Sequence, residues 1–246
     1  MHTMFGTKHL IILAICAVVF AIGFCFAKKK SLEQLSRILL GIGIVSEFIK
    51  VFYYILANEA THGGILPKTD LPFHLCSIQI IFLAVVVFGK NEKFRQLLLS
   101  FMIPSCLIGG LAALLIATES SLNGGLILSV QYFGYHVSIM IFALYLLVTG
   151  QPKMTVKLYF DCLKFTMLLL LFAIYVNSIL YDGTAKVNFM YVASPPQSGL
   201  PYLNEDHGWL VYMAHYAGLV IFAITLCFVK PICQAIGQKC KKTAKV

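Results

Sequence analysis

Seven apolar stretches, each near the roughly 20 residues that a membrane-crossing helix needs, organise this chain. They run over 10–27, 35–57, 72–88, 94–117, 126–148, 158–181 and 208–229. Inside lipid the backbone N–H and C=O groups find no water, so a spanning segment must bond within itself as a helix. The sequence therefore predicts an all-α, polytopic membrane protein, with seven transmembrane helices in a single domain over 1–246. Composition agrees: 59% of the residues are hydrophobic and 12% charged, which excludes an ordinary soluble domain. No internal repeat and no second-domain linker interrupts the pattern. The longest loop, 182–207, carries Pro195, Pro196 and Pro201 and so does not read as continuous helix. The first run lacks a small-residue cleavage pattern and is expected to be retained as a span.

The net charge of +9 points to topology rather than to nucleic acid, because the basic residues sit in short loops and the tail. Lys28, Lys29, Lys30 and Arg37, then Lys90, Lys93 and Arg95, then Lys153, Lys157 and Lys164, then Lys230, Lys239, Lys241, Lys242 and Lys245 fall on one side of a seven-span layout. The other side keeps Lys8, Lys50, Lys68 and Lys186. The excess marks the cytoplasmic face, so the N-terminus is expected outside and the C-terminus inside. The eight cysteines are spread singly, at 16, 25, 76, 106, 162, 227, 233 and 240, with no C-x-x-C pair. That spacing argues against a disulfide framework and against a structural zinc site.

With this orientation the polar residues segregate. Glu47 and Lys50 lie toward the outer end of the second run, and His74, Cys76 and Gln79 at that of the third. Gln131 and His136 lie in the outer half of the fifth, Asn177 in the sixth and His215 in the seventh. At 1.5 Å per residue these groups lie about 5–15 Å inside the outer boundary. Intramembrane polar groups are costly and mark functional sites by default, so one outward-facing polar cavity is expected. Glu47 and Lys50, three apart, share a helix face and can pair; so do Cys76 and Gln79. His74 and Cys76, two apart, point apart in a regular helix.

Cys76 follows Pro72, a residue suited to a first helical turn, and helix N-terminal amides favour a nearby thiolate. A cysteine nucleophile also needs a base. His136, from another helix with Tyr132 one turn before it, can supply one. The rival chemistry is zinc held by His74, Cys76, His136 and His215, but no H-x-x-x-H pair exists and the His74–Cys76 spacing is poor. No metal and no soluble cofactor are expected. Serine-hydrolase, phosphate-loop and dinucleotide signatures are absent.

Three motifs carry a resemblance: Leu71-Pro72-Phe73-His74-Leu75-Cys76 leading into the third run, Tyr135-His136 in the fifth, and Asn188-Phe189-Met190-Tyr191 with Pro195 or Pro196 in the last outer loop. In these, and in the order of helices over nearly the whole chain, it resembles the YwaF-type integral membrane proteins of bacteria. That family is related to a eukaryotic lipid acyltransferase, transmembrane protein 164. The resemblance implies a seven-helix fold shared with small transmembrane lipid hydrolases that use a Thr/His pair. It also implies a Cys nucleophile at a helix start with a His two spans later, roles that fall on Cys76 and His136. A single His136, preceded by Tyr135, stands where family members often carry two adjacent histidines.

The expected function is acyl transfer or acyl-ester hydrolysis on phospholipids and lysophospholipids of a bacterial cell membrane. Cys76 and His136 would be catalytic. Glu47, Lys50, His74, Gln79, Asn177, Asn188 and His215 would bind substrate or support the site, with Gln79, Asn177 or Asn188 as oxyanion donor. No nucleic-acid partner is expected. A non-enzymatic transporter or receptor-like protein using the same cavity is the alternative.

Overall fold

The computed structural model describes residues 4–57, 65–183, 187–196, 200, 202–204 and 206–243, with only the backbone considered at 57, 119 and 238–243. Lys186 and Pro201 lie outside the described residues. These form eight α-helices and no strand: α1 (Thr7–Ala27), α2 (Leu32–Phe52), α3 (Leu75–Phe88), α4 (Glu92–Leu115), the short α5 (Glu119–Asn123), α6 (Gly125–Thr149), α7 (Val156–Leu180) and α8 (Trp209–Thr243). A π-helical turn, Tyr53–Ala57, extends α2, and single 3₁₀ turns stand at Lys68–Asp70 and Phe189–Tyr191.

Polar residues placed at helix starts define several ends. Ser31 and Gln34 cap α2 reciprocally, Asn91 accepts from the Phe94 amide to start α4, and Thr155 does the same for Leu158 in α7. Each satisfies an amide that the helix itself leaves without a partner. Gly150 closes α6 in the left-handed region, at φ 67°, a conformation glycine adopts without steric cost.

Six helices are long and apolar enough to cross a membrane: α1, α2 with its π turn, α4, α6, α7 and α8. The third predicted span is the exception. It is helical only over the 14 residues of α3, about 21 Å at 1.5 Å per residue and short of a full hydrocarbon core. Pro72 does not occupy its first turn. Leu71 is extended, at ψ 151°, as the residue before proline prefers, and the Phe73 amide bonds back to the Leu71 carbonyl at 2.8 Å in a tight turn. The helix begins only after His74.

α4 and α6 form the centre. In their most apolar windows 56% of residues are buried, against 11% in α1, α7 and α8. Leu98, Leu99, Met102, Ile103 and Cys106 of α4, Ala143 and Leu146 of α6, and Leu83 of α3 are wholly enclosed. Helices in lipid associate by close packing rather than by hydrophobic burial, which favours small residues at their contacts. A Cβ on Gly110 of α4 would stand 2.5 Å from Met140 Cγ of α6, and one on Gly43 of α2 would stand 2.9 Å from Ile80 Cγ1 of α3. α1 and α2 pack on α6, α3 lies between α2 and α4, and α7 and α8 pair with each other and reach α4. The two ends of the bundle are tied separately. At one, Lys68 pairs with Asp182 at 2.6 Å and Tyr53 donates to the Gly124 carbonyl at 2.8 Å. At the other, Tyr145 donates to the Lys30 carbonyl at 3.0 Å.

Candidate active site

A cavity of about 600 Å³ opens where α2, α3, α4 and α6 meet the loop before α8. Glu47, Lys50, His74, Cys76, Gln79, Gln131 and His136 all line it, so seven of the nine polar residues assigned to one outer cavity share it. Its far end runs between α7 and α8, past Leu169, Leu170, Leu219, Phe222 and Leu226. Leu219, Phe222 and Leu226 are exposed, so this part of the lining is apolar and partly open.

α3 points its start into the cavity. The first amide of this helix with a backbone partner is that of Ile78, which bonds the His74 carbonyl at 3.0 Å. His74 occupies the cap position in an extended conformation, but its side chain caps nothing. The amides of Leu75, Cys76 and Ser77 therefore have no backbone acceptor among the described residues, and those of Cys76 and Ser77 face the Cys76 sulfur. They are the donors, with their partial positive charge, that a helix N-terminus offers to an anion. Cys76 is half-buried beside them. The His74 ring lies over Phe189, centroids 4.9 Å apart, and near Tyr191 at 5.9 Å, and its Nε2 faces the Thr69 carbonyl at 3.3 Å.

α6 brings the imidazole. His136 is 5% exposed, and its Nδ1 lies 2.7 Å from the Tyr132 carbonyl one turn earlier. A carbonyl only accepts, so Nδ1 carries the hydrogen and Nε2 keeps its lone pair. Nε2 makes no hydrogen bond to a described residue. The preceding residue, Tyr135, donates its hydroxyl to the Cys76 carbonyl at 2.8 Å, which fixes α6 against α3 at the level of the thiol. No hydrogen bond joins the Cys76 sulfur to His136; catalytic contacts in an unliganded site are often longer than in the working complex.

Glu47 and Lys50 pair at 2.7 Å, with side-chain exposures of 25% and 13%. Gln79 is spent differently from an oxyanion donor. Its Nε2 donates to Ser105 Oγ at 3.0 Å, and Ser105 donates onward to the Phe101 carbonyl at 2.7 Å. That leaves Gln79 Oε1 enclosed and unpartnered.

Three of the expected residues stand elsewhere. His215 is exposed on α8 and does not line the cavity. Asn177 and Asn188 give their amides to the loop. Asn177 Oδ1 accepts from the Phe189 amide at 2.8 Å and its Nδ2 faces the Phe189 carbonyl at 3.3 Å. Asn188 folds the loop on itself through Ser194 and the Ala193 amide. No group of three or more His, Cys, Asp or Glu side chains is arranged to hold a metal among the described residues.

Of this loop only Asn188 was expected at the site, and other residues of it are the ones found there. Met190, Tyr191 and Pro196 line the cavity. Met190 and Tyr191 are non-glycine residues in the left-handed region, at φ 55° and 54°, a conformation costing about 1–3 kcal/mol each that persists only when the surroundings hold it. The holders are plain: Tyr216 donates to the Met190 carbonyl at 2.7 Å, Tyr212 to that of Tyr191 and Trp209 to that of Val192 at 2.9 Å. Burial, and then the neighbouring Cys76, push the Tyr191 phenol up to about 12, so it is a protonated donor at neutral pH.

Among known proteins, neither a curated protein nor a solved structure matches this chain. The family model described as the TMEM164 family matches residues 4–229. That family is the relative named by the motifs above; the match does not reach the bacterial YwaF-type assignment. With six apolar helices of membrane-crossing length and a family model covering nearly its whole length, the chain is a multi-pass membrane protein belonging to the TMEM164 family.

Proposed function

We propose that this protein moves acyl groups of membrane lipids through a thioester on Cys76, with His136 as the base. The supporting observation is the cavity itself. Its lining includes a thiol at a helix start, an imidazole whose Nε2 makes no hydrogen bond to a described residue, and apolar side chains of α7 and α8. An acyl ester has the same two parts, a polar reacting centre and a hydrocarbon chain.

In this scheme the thiol proton passes to His136 Nε2 and the sulfur bonds to the ester carbonyl carbon. The oxygen takes the electron pair and is met by the amides of Cys76 and Ser77. The ester C–O bond then breaks, and the leaving alcohol takes the proton from His136. A hydroxyl from a lysolipid or from water attacks the thioester, gives its proton to His136, and releases the ester or acid with Cys76 restored as thiol. Lys50, a point charge held by Glu47, would meet a lipid phosphate. A transporter or receptor using the same cavity requires neither a thiol nor an imidazole with a free nitrogen in its lining. The chain is also proposed to cross the membrane seven times, with its N-terminus outside.

The test is turnover. Purified protein in phospholipid vesicles should release or exchange acyl chains, and Cys76→Ala should abolish this while leaving thermal stability within a few degrees. Full turnover by Cys76→Ala excludes the scheme.

A further inference from the structure

We propose that Tyr191 is a catalytic residue, its hydroxyl donating a hydrogen bond to the ester carbonyl oxygen as negative charge builds there. The assignment rests on the acyl-transfer reading of Cys76 and deepens it.

Five tyrosines line the cavity: Tyr54, Tyr132, Tyr135, Tyr191 and Tyr216. Three spend their hydroxyls on backbone carbonyls, Tyr132 on Ala113 at 3.0 Å, Tyr135 on Cys76 at 2.8 Å and Tyr216 on Met190 at 2.7 Å. Tyr54 also has a polar partner. The Tyr191 hydroxyl makes no hydrogen bond to any described residue. Its ring is held near His74, two residues before Cys76, at the open start of α3. A packing aromatic needs neither a left-handed backbone nor anchors on either side of it. Tyr191 has both: φ is 54°, and Asn177, Tyr216, Tyr212 and Trp209 clamp the backbone of residues 189 to 192.

Backbone strain held by its surroundings marks a site where geometry serves function, and a donor fixed before the reaction costs no reorganisation during it. In the proposed step the carbonyl π pair moves onto oxygen as the C–S bond forms. Tyr191 shares its proton with that oxygen without losing it, and the electron pair re-forms the carbonyl when the leaving alcohol departs.

The experiment is single-turnover acylation of Cys76 by a labelled phospholipid, quenched in acid, for the wild type and Tyr191→Phe. Iodoacetamide alkylation of Cys76 is timed in parallel. Phenylalanine keeps the ring and removes only the hydroxyl. Acylation should slow by about 10²–10³-fold with little change in the lipid concentration for half-maximal rate. Alkylation, which builds no oxyanion, should proceed at the wild-type rate. Incorporating a fluorotyrosine at 191, whose phenol is the stronger donor, should speed acylation. Equal acylation by wild type and Tyr191→Phe overturns the assignment, as does a matching loss of alkylation, which would mark a structural role. A wild type that never acylates removes the acyl-transfer reading itself, and this assignment with it.

Discussion

At the residue scale the site turns on which nitrogen of His136 carries hydrogen. The 2.7 Å contact from Nδ1 to the Tyr132 carbonyl commits Nδ1 as donor and aims the basic Nε2 elsewhere, an orientation fixed within one helical turn. His136→Ala should therefore slow acylation of Cys76 by about 10²–10⁴-fold, the usual contribution of a positioned base. Raising the pH should restore part of that loss, because a larger fraction of the thiol then ionises without a base. A pH–rate profile of the variant checks this; a profile unchanged from wild type means that His136 is not the base. That Cys76 and His136 line one cavity, and that Glu47 and Lys50 pair, was legible because depth and i, i+3 spacing are one-dimensional facts. Tyr191 was not. Its role depends on a φ angle and on three anchoring hydroxyl or indole groups far away in sequence, and a tyrosine in a proline-rich loop gives no sign of either. Asn177 was legible as an intramembrane polar group and Asn188 as part of a loop motif, but neither as a loop clamp, since the sequence does not reveal which amide finds which backbone.

At the element scale α3 decides how the chain sits in the membrane. Its 14 residues are too few to cross a hydrocarbon core unaided, yet it runs between the two tied ends of the bundle. The loop before it meets the loop after α7 through Lys68 and Asp182, and α4, after it, returns to that same end, where the Leu114 carbonyl meets His9 Nε2 at 2.8 Å. Protein on both sides of the helix, α2 and α4, flanks it, while Phe73 and His74 before it rest against Phe172, Phe189 and Tyr191. The apolar run at 72–88 made the segment visible in the sequence. Its true start was hidden because a proline suits a tight turn as well as a first helical turn. Topology reporters fused at the N- and C-termini should fall on opposite sides, the N-terminal one outside, as an odd number of crossings and the basic loops require. Reporters on the same side mean that α3 does not cross.

At the scale of the whole molecule the chain divides its labour. α4 and α6 form the buried centre, α3 and α6 carry Cys76 and His136, the groups proposed to react, and α7 and α8 add apolar side chains to the cavity lining. The helical class and most helix positions followed from hydropathy, since lipid leaves the backbone few choices. The share of α7 and α8 in the cavity lining did not, because it depends on how helices pack rather than on what they contain. The central claim is that Cys76 holds the acyl chain covalently. The most direct measurement is mass spectrometry of the Cys76 peptide after purified protein is mixed with a labelled phospholipid and quenched in acid. The predicted result is a mass increase of one acyl chain on Cys76, discharged by adding lysolipid if the protein transfers and by water alone if it hydrolyses. Lipid turnover with Cys76 unmodified at every time point, and undiminished in Cys76→Ala, would contradict it.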